Sequence, residues 1–185
     1  MGARVSGIGG AVALGFVLLW ASPSSALEIE DARPLGFGGA LRANCPSNSA
    51  LYLNPAGLAL GRIYHVETLY SFVPTANGHL AGGSVVDSVT APVAAGLSFV
   101  YFAWDPEGEN RSEYDVRLSF AYYLASIVSF GLTVKYMYAD QDGPGPLGPS
   151  LLNATGDPLL NTVSVDVGMI FTIGRMFNIG VVGYN

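Results

Sequence analysis

The chain has one cysteine, two histidines and 8 lysines and arginines in 185 residues, and each scarcity removes a class of protein. A single thiol, Cys45, rules out an intramolecular disulfide and reads as inert packing. His65 and His79 stand far apart, with no hydrolytic or metal-binding pattern around either. Asp140, Asp142 and Gly143 resemble the start of a calcium loop, but the remaining ligands and the closing glutamate are missing. No catalytic residue, metal or cofactor is therefore expected. A net charge of −6 without a basic patch argues against nucleic acid as a partner. Beyond residue 26 no apolar run reaches the ~20 residues that a membrane-spanning helix needs. Yet half of the residues are hydrophobic and only 12% are charged, with 24 glycines and 10 tyrosines. That balance fits a β-rich chain with aromatic interfacial residues.

What is present is alternation. From Glu113 to Ala139, Tyr114, Val116, Leu118, Phe120 and Tyr122 are followed by Val128, Phe130, Leu132, Val134, Tyr136 and Tyr138. Between them lie Asp115, Arg117 and Ser119, then Ser129, Gly131, Thr133 and Lys135, so one face is oily and the other polar. A two-residue loop would mismatch the faces, so a three-residue turn at Leu124 to Ser126 is expected. That turn sets Phe120 opposite Phe130 and Asp115 opposite Lys135, whereas a slip of two residues opposes Arg117 and Lys135, a like-charge pair.

A soluble β-sandwich with its oily side on a core explains one such hairpin equally well. The rest of the chain decides. Residues 1–26 read as a cleaved secretory signal: Arg4, an apolar stretch from Ile8 to Trp20, and small residues Ser24, Ser25 and Ala26 before the cut. Further strands are expected at Tyr64–Phe72, His79–Asp87, Ala95–Trp104, Val163–Ile173 and from Phe177 onward, seven in all. Short connections (Ser88–Pro92, the turn near Ala125, Gly174–Met176) alternate with longer polar ones (Asp105–Ser112, Asp140–Asn161). Asp105, Glu107 and Glu109 make one of the latter a charged external loop. Short turns on one side, long loops on the other and an outward apolar band are the pattern of an antiparallel transmembrane β-barrel of the bacterial outer membrane. Tyr64 and Tyr122 then mark one aromatic girdle, and Tyr101, Trp104, Tyr114, Tyr136 and Tyr138 the other. Asp115, Arg117, Thr133, Lys135 and Asp166 become lumen-facing, and the two histidines lumen or loop residues. A sandwich has less reason to keep such charges on successive strands.

Ahead of the strands, residues 27–61 form a separate segment, and Leu35 to Leu60 has neither alternation nor the length of a domain. Ser47 or Asn48 is expected to cap a short helix through Leu53, and Pro55 to end it by forcing Asn54 out of the helical region. A compact apolar plug is the physical reading. Gly36, Gly38, Gly39 and Ala40, followed by Ala50 and by Asn54, Pro55, Ala56 and Gly57, resemble the G-x-G-G-A and N-P-A-G block of the FadL-like outer-membrane superfamily, which includes hydrocarbon transporters and PorV-type proteins. Asp166, Gly168, Ile179, Gly180 and Asn185 resemble a second, looser D-x-G, I-G and N pattern. One departure stands beside these matches: Cys45, Pro46, Ser47 and Asn48 occupy the turn where the family usually carries acidic residues, which weakens a ligand or ion role there.

The resemblance implies that Leu35 to Leu60 is a hatch inside a barrel formed by residues 62–185. Since the family's barrels have about fourteen strands, seven strands imply an amino-terminal portion; the alternative is a small barrel closed by oligomerisation. It also implies passive transport of hydrophobic small molecules such as long-chain fatty acids or hydrocarbons, with outer-membrane lipid and an apolar ligand as partners. The alternative is a PorV-like barrel acting through secretion-system proteins. For sideways release, a kink or gap in the wall is expected near Gly82 and Gly83.

Overall fold

A computed structural model describes residues 40–105, 110–125, 127–141, 158–174 and 177–185. The expected signal at 1–26, together with Gly36, Gly38, Gly39, Glu107, Glu109, Asp142 and Gly143, lies outside the described residues. Seven strands form one antiparallel sheet in chain order: β1 (Tyr64–Val73), β2 (Gly78–Asp87), β3 (Val93–Trp104), β4 (Arg111–Leu124), β5 (Val128–Gln141), β6 (Leu160–Ile173) and β7 (Phe177–Gly183). The fold is all-β apart from short helical turns before β1 and after it. Each strand pairs with its neighbours in sequence, and β1 and β7 are the free edges of an open sheet.

Alternation in sequence becomes an inverted burial pattern. On the outer face, Leu118, Phe120, Leu132 and Val167 are 43%, 42%, 42% and 56% exposed, while on the inner face Asp115, Arg117, Lys135 and Asp166 are 8%, 5%, 8% and 3% exposed. Charges are inside and oil is outside, the reverse of a water-soluble sheet. The inner face is covered by the segment before β1. A short helix α1 (Ala50–Leu53) and a 3₁₀ turn (Pro55–Ala59) lie on it, and Leu51, Leu53 and Leu58 are nearly or fully buried. Covering each such leucine is worth about 1.5–3 kcal/mol. Together with Cys45, Tyr52, Val86, Ala94, Val100 and Ala121 they make the hydrophobic core. The core therefore lies between segment and sheet.

The β4–β5 hairpin has the even pairing that the faces require, but slipped by two residues from the expected register. Phe120 faces Leu132, Leu118 faces Val134, and Arg117 faces Lys135. The loop is Ala125 to Ile127, with Ala125 left-handed at φ 52° and the Ile127 amide donating to the Leu124 carbonyl at 3.2 Å. The like-charge objection fails because each cation has its own carboxylate. Arg117 turns along its strand to Asp115, with Nε 2.7 Å from Oδ1 and Nη2 3.0 Å from Oδ2, while Lys135 reaches across to Asp166 on β6 at 2.8 Å. Two strands considered alone omit Asp166.

Two other expectations change. Trp104 pairs with Arg111 and shares the parity of Val100, so it belongs to the inner face and not to the outer aromatic girdle. Tyr101, Tyr114 and Tyr138 do form a continuous outer row, with ring centroids 4.9 and 5.9 Å apart. The ladder also runs unbroken through Gly82 and Gly83, which pair with Leu69 and Thr68 on one side and Val100 and Phe99 on the other. Among the described residues the sheet has no gap there.

The register is open to direct test. In a Cys45→Ser background, Leu118→Cys with Val134→Cys should oxidise to a disulfide on mild treatment, because directly opposed residues bring their Cβ atoms within bonding reach. Leu118→Cys with Leu132→Cys should stay reduced. Mass spectrometry of the two double variants reads the result, and the opposite pattern restores the unslipped hairpin.

Candidate functional site

The inner face is organised in three levels, beginning at the end with the short turns. At the first, Asn54 is extended (φ −162°, ψ 106°), as a residue before proline should be. Its Oδ1 accepts from the Ala56 amide at 3.1 Å, and its Nδ2 donates to the Arg42 carbonyl at 2.9 Å. Pro55 opens the 3₁₀ turn, where its missing amide costs nothing. The Asn-Pro-Ala-Gly run is thus a self-capped turn. Asn54 and Ala56 are fully buried.

That turn lies directly on sheet backbone. Gly131 and Gly168 face each other across β5 and β6. A Cβ on Gly131 would overlap Pro55 and the Ala56 backbone, and one on Gly168 would overlap the Asn54 side-chain oxygen. Nearby, the Ser129 hydroxyl donates to the Ala56 carbonyl at 2.6 Å. Gly96 makes the same room for Leu51, and Gly180 for Ala43 and the Arg42 carbonyl. Gly57 leaves space for Cys45, whose Sγ would stand 2.5 Å from an added Cβ. Residues of the two sequence patterns therefore meet, Asn54 and Pro55 from one against Gly168 from the other.

The expected helix cap is different. Ser49 occupies the cap position of α1 and makes no side-chain capping bond. Ser47 and Asn48 are drawn away to the sheet: Asn48 Oδ1 lies 2.7 Å from His65 Nδ1, Asn48 Nδ2 donates to Ser84 at 2.6 Å, and Ser47 Oγ is 3.2 Å from the same His65 nitrogen. His65 is accordingly a contact between β1 and the segment. His79 stacks on Phe72 at 4.9 Å and meets the Tyr70 hydroxyl at 2.9 Å.

The second level holds the charges. Arg117 also donates to the Leu51 carbonyl at 3.3 Å and lies 4.9 Å from the Tyr52 ring centroid. Asp166 accepts from the Asn185 amide at 3.2 Å, and Tyr184 donates to the Leu53 carbonyl. Thr133 bonds Ser119 at 2.7 Å. Asp115, Arg117, Thr133, Lys135 and Asp166 thus form one buried polar layer under the segment. Breaking either ion pair leaves a buried charge alone, at a cost of about 3–5 kcal/mol.

The third level, toward the long loops, is an open chamber of about 670 Å³. Leu80, Val100, Phe102, Trp104, Met137, Ala139 and Leu160 line it, with Tyr114 and Tyr138 and with Arg111, Glu113 and Asp115 as its charged groups. Among the described residues no cluster of histidine, cysteine, aspartate or glutamate could hold a metal. Comparisons with protein-family models, with curated proteins and with solved structures return no match.

Sequence reading missed the seat and the chamber. Gly131 was legible only as a small residue on the polar face of an oily strand, and Gly168 as one residue of the looser D-x-G pattern, with nothing in either to show that the two form one seat. Met137, Phe102 and Leu160 signal the chamber, being apolar residues on the otherwise polar parity.

Gly168→Ala should lower stability by about 1–3 kcal/mol through overpacking against Asn54, whereas Gly183→Ala, which meets nothing within 4 Å, should be close to neutral. Denaturation midpoints of the two variants check this. Burial pushes the Cys45 thiol from 9.0 up to about 12, so it should resist iodoacetamide at about pH 8.5 until the protein unfolds. The sign for stability follows: the unfolded thiol ionises above 9.0 and the folded one does not, so stability is lost as pH rises from 9.0 toward about 12. Cys45→Ser should flatten that alkaline fall.

Proposed function

We propose that this chain forms wall and plug of a bacterial outer-membrane β-barrel that passes hydrophobic small molecules, such as long-chain fatty acids or hydrocarbons, without an energy source. One observation carries the reading: the sheet exposes its apolar face and buries its charged face under the preceding segment. Water penalises an exposed oily sheet, and lipid rewards it. β4, β5 and β6, at 14 residues each, exceed the ~9–11 needed to cross a bilayer. In hydrocarbon the backbone groups along the edges of β1 and β7 need strand partners, which a closed barrel supplies. The buried segment then closes the lumen at the short-turn end, and the chamber opens toward the long loops. A cleaved signal at 1–26 would deliver the chain to that membrane.

Two measurements test it. With Trp20 and Trp104 both replaced by Phe, Leu118→Trp and Val134→Trp should be strongly quenched by lipids brominated in their acyl chains, and Met137→Trp should not. Equal quenching at all three positions, or none, overturns the lipid-facing wall. A bacterial strain lacking the protein should grow more slowly on a hydrocarbon or a long-chain fatty acid. Normal growth together with co-purifying secretion components would instead favour a barrel that works through protein partners.

A further inference from the structure

We infer that the chamber narrows the transport reading above, on which this inference rests, to uncharged apolar molecules such as hydrocarbons, and rejects an anionic amphiphile of the same length, an ionised long-chain fatty acid included. Its described lining is apolar over most of its extent, through Leu80, Val100, Phe102, Trp104, Met137 and Leu160. Arg111 is the one cation among the described lining residues, and its Nη2 stands 2.6 Å from Glu113 while its guanidinium lies 5.0 Å from the Trp104 ring centroid. Asp115, the other lining carboxylate, is held by Arg117, so that cation is engaged as well. A recess of about 310 Å³ also lined by Trp104 and Arg111 adds Asp105 and Asp140. The Arg111 Nε and Trp104 Nε1 hydrogens have no partner among the described residues, but a carboxylate entering here loses its hydration and meets a single arginine, already paired with Glu113, among four acidic side chains, Glu113, Asp115, Asp105 and Asp140. An alkane or an arene loses nothing polar, and it gains the full burial of its surface.

Charge, and not size, is the discriminating feature, so a matched pair of probes tests it. With Trp20→Phe, Trp104 is the only tryptophan in the chain. The full chain in phosphatidylcholine nanodiscs at about pH 8 is titrated with 1-bromodecane and, separately, with 10-bromodecanoate, both of which quench indole on contact. 1-Bromodecane should quench Trp104 saturably, and 10-bromodecanoate should need a concentration at least about tenfold higher. Glu113→Gln leaves Arg111 without its carboxylate and should lower the half-saturation of 10-bromodecanoate by about tenfold relative to that of 1-bromodecane, so that the difference between the probes closes. Equal half-saturation of the two probes, or a Glu113→Gln variant that keeps the native difference, overturns the charge selection and leaves the transport reading standing. Quenching by 1-bromodecane that rises linearly without saturation reports partition into the bilayer alone, and it overturns both.

Discussion

The Asn54-Pro55-Ala56 backbone rests on the Gly131–Gly168 pair, with no side chain between segment and sheet. Most of the inner face follows from that approach. It sets the depth at which Leu51 and Leu53 are buried, and so the position of the two carbonyls that Arg117 and Tyr184 reach. It also requires that the turn satisfy its own polar groups, since no water fits beneath it. Asn54 does this with both ends of its amide, and Ser129 takes the Ala56 carbonyl.

Above the seat, four charges are kept on the buried face of a sheet whose other face is apolar. Buried ion pairs add little net stability, but removing one partner is costly, so they act as selectors of arrangement. Arg117 and Lys135 face each other only because Asp115 and Asp166 separate their charges to opposite sides. The three-strand unit β4–β5–β6 is therefore the smallest piece in which this hairpin register is electrostatically acceptable. Beyond that layer polarity falls away, and Phe102, Met137 and Leu160 turn the same strand faces into an apolar chamber.

Much of the sheet could be anticipated because period-two alternation is a local property. The seven strands and the even parity of the hairpin needed no knowledge of neighbours. Register was harder: a slip of two residues preserves both faces, and the deciding partner, Asp166, is 31 residues from Lys135 in sequence (166 − 135). Trp104 was misplaced on its outer aromatic role because residue type outweighed parity at a strand end. The helix cap was misassigned because Ser47 and Asn48 are good local cappers, yet the half-buried side chains of His65 and Ser84 bond them instead. Of the candidate site, the Asn-Pro-Ala-Gly turn was visible from its own chemistry, while its glycine seat was not.

By itself, then, the sequence determined which residues alternate, that the β4–β5 hairpin pairs with even parity, and that Asn54 and Pro55 make a turn, since all of these depend on contacts close in the chain. Tertiary structure decided where the segment lies, which carboxylate neutralises which cation, and that glycines on two strands form one surface. Those outcomes depend on backbone surfaces meeting at distances set by side chains that are absent, and an absent side chain leaves no periodic signal to read.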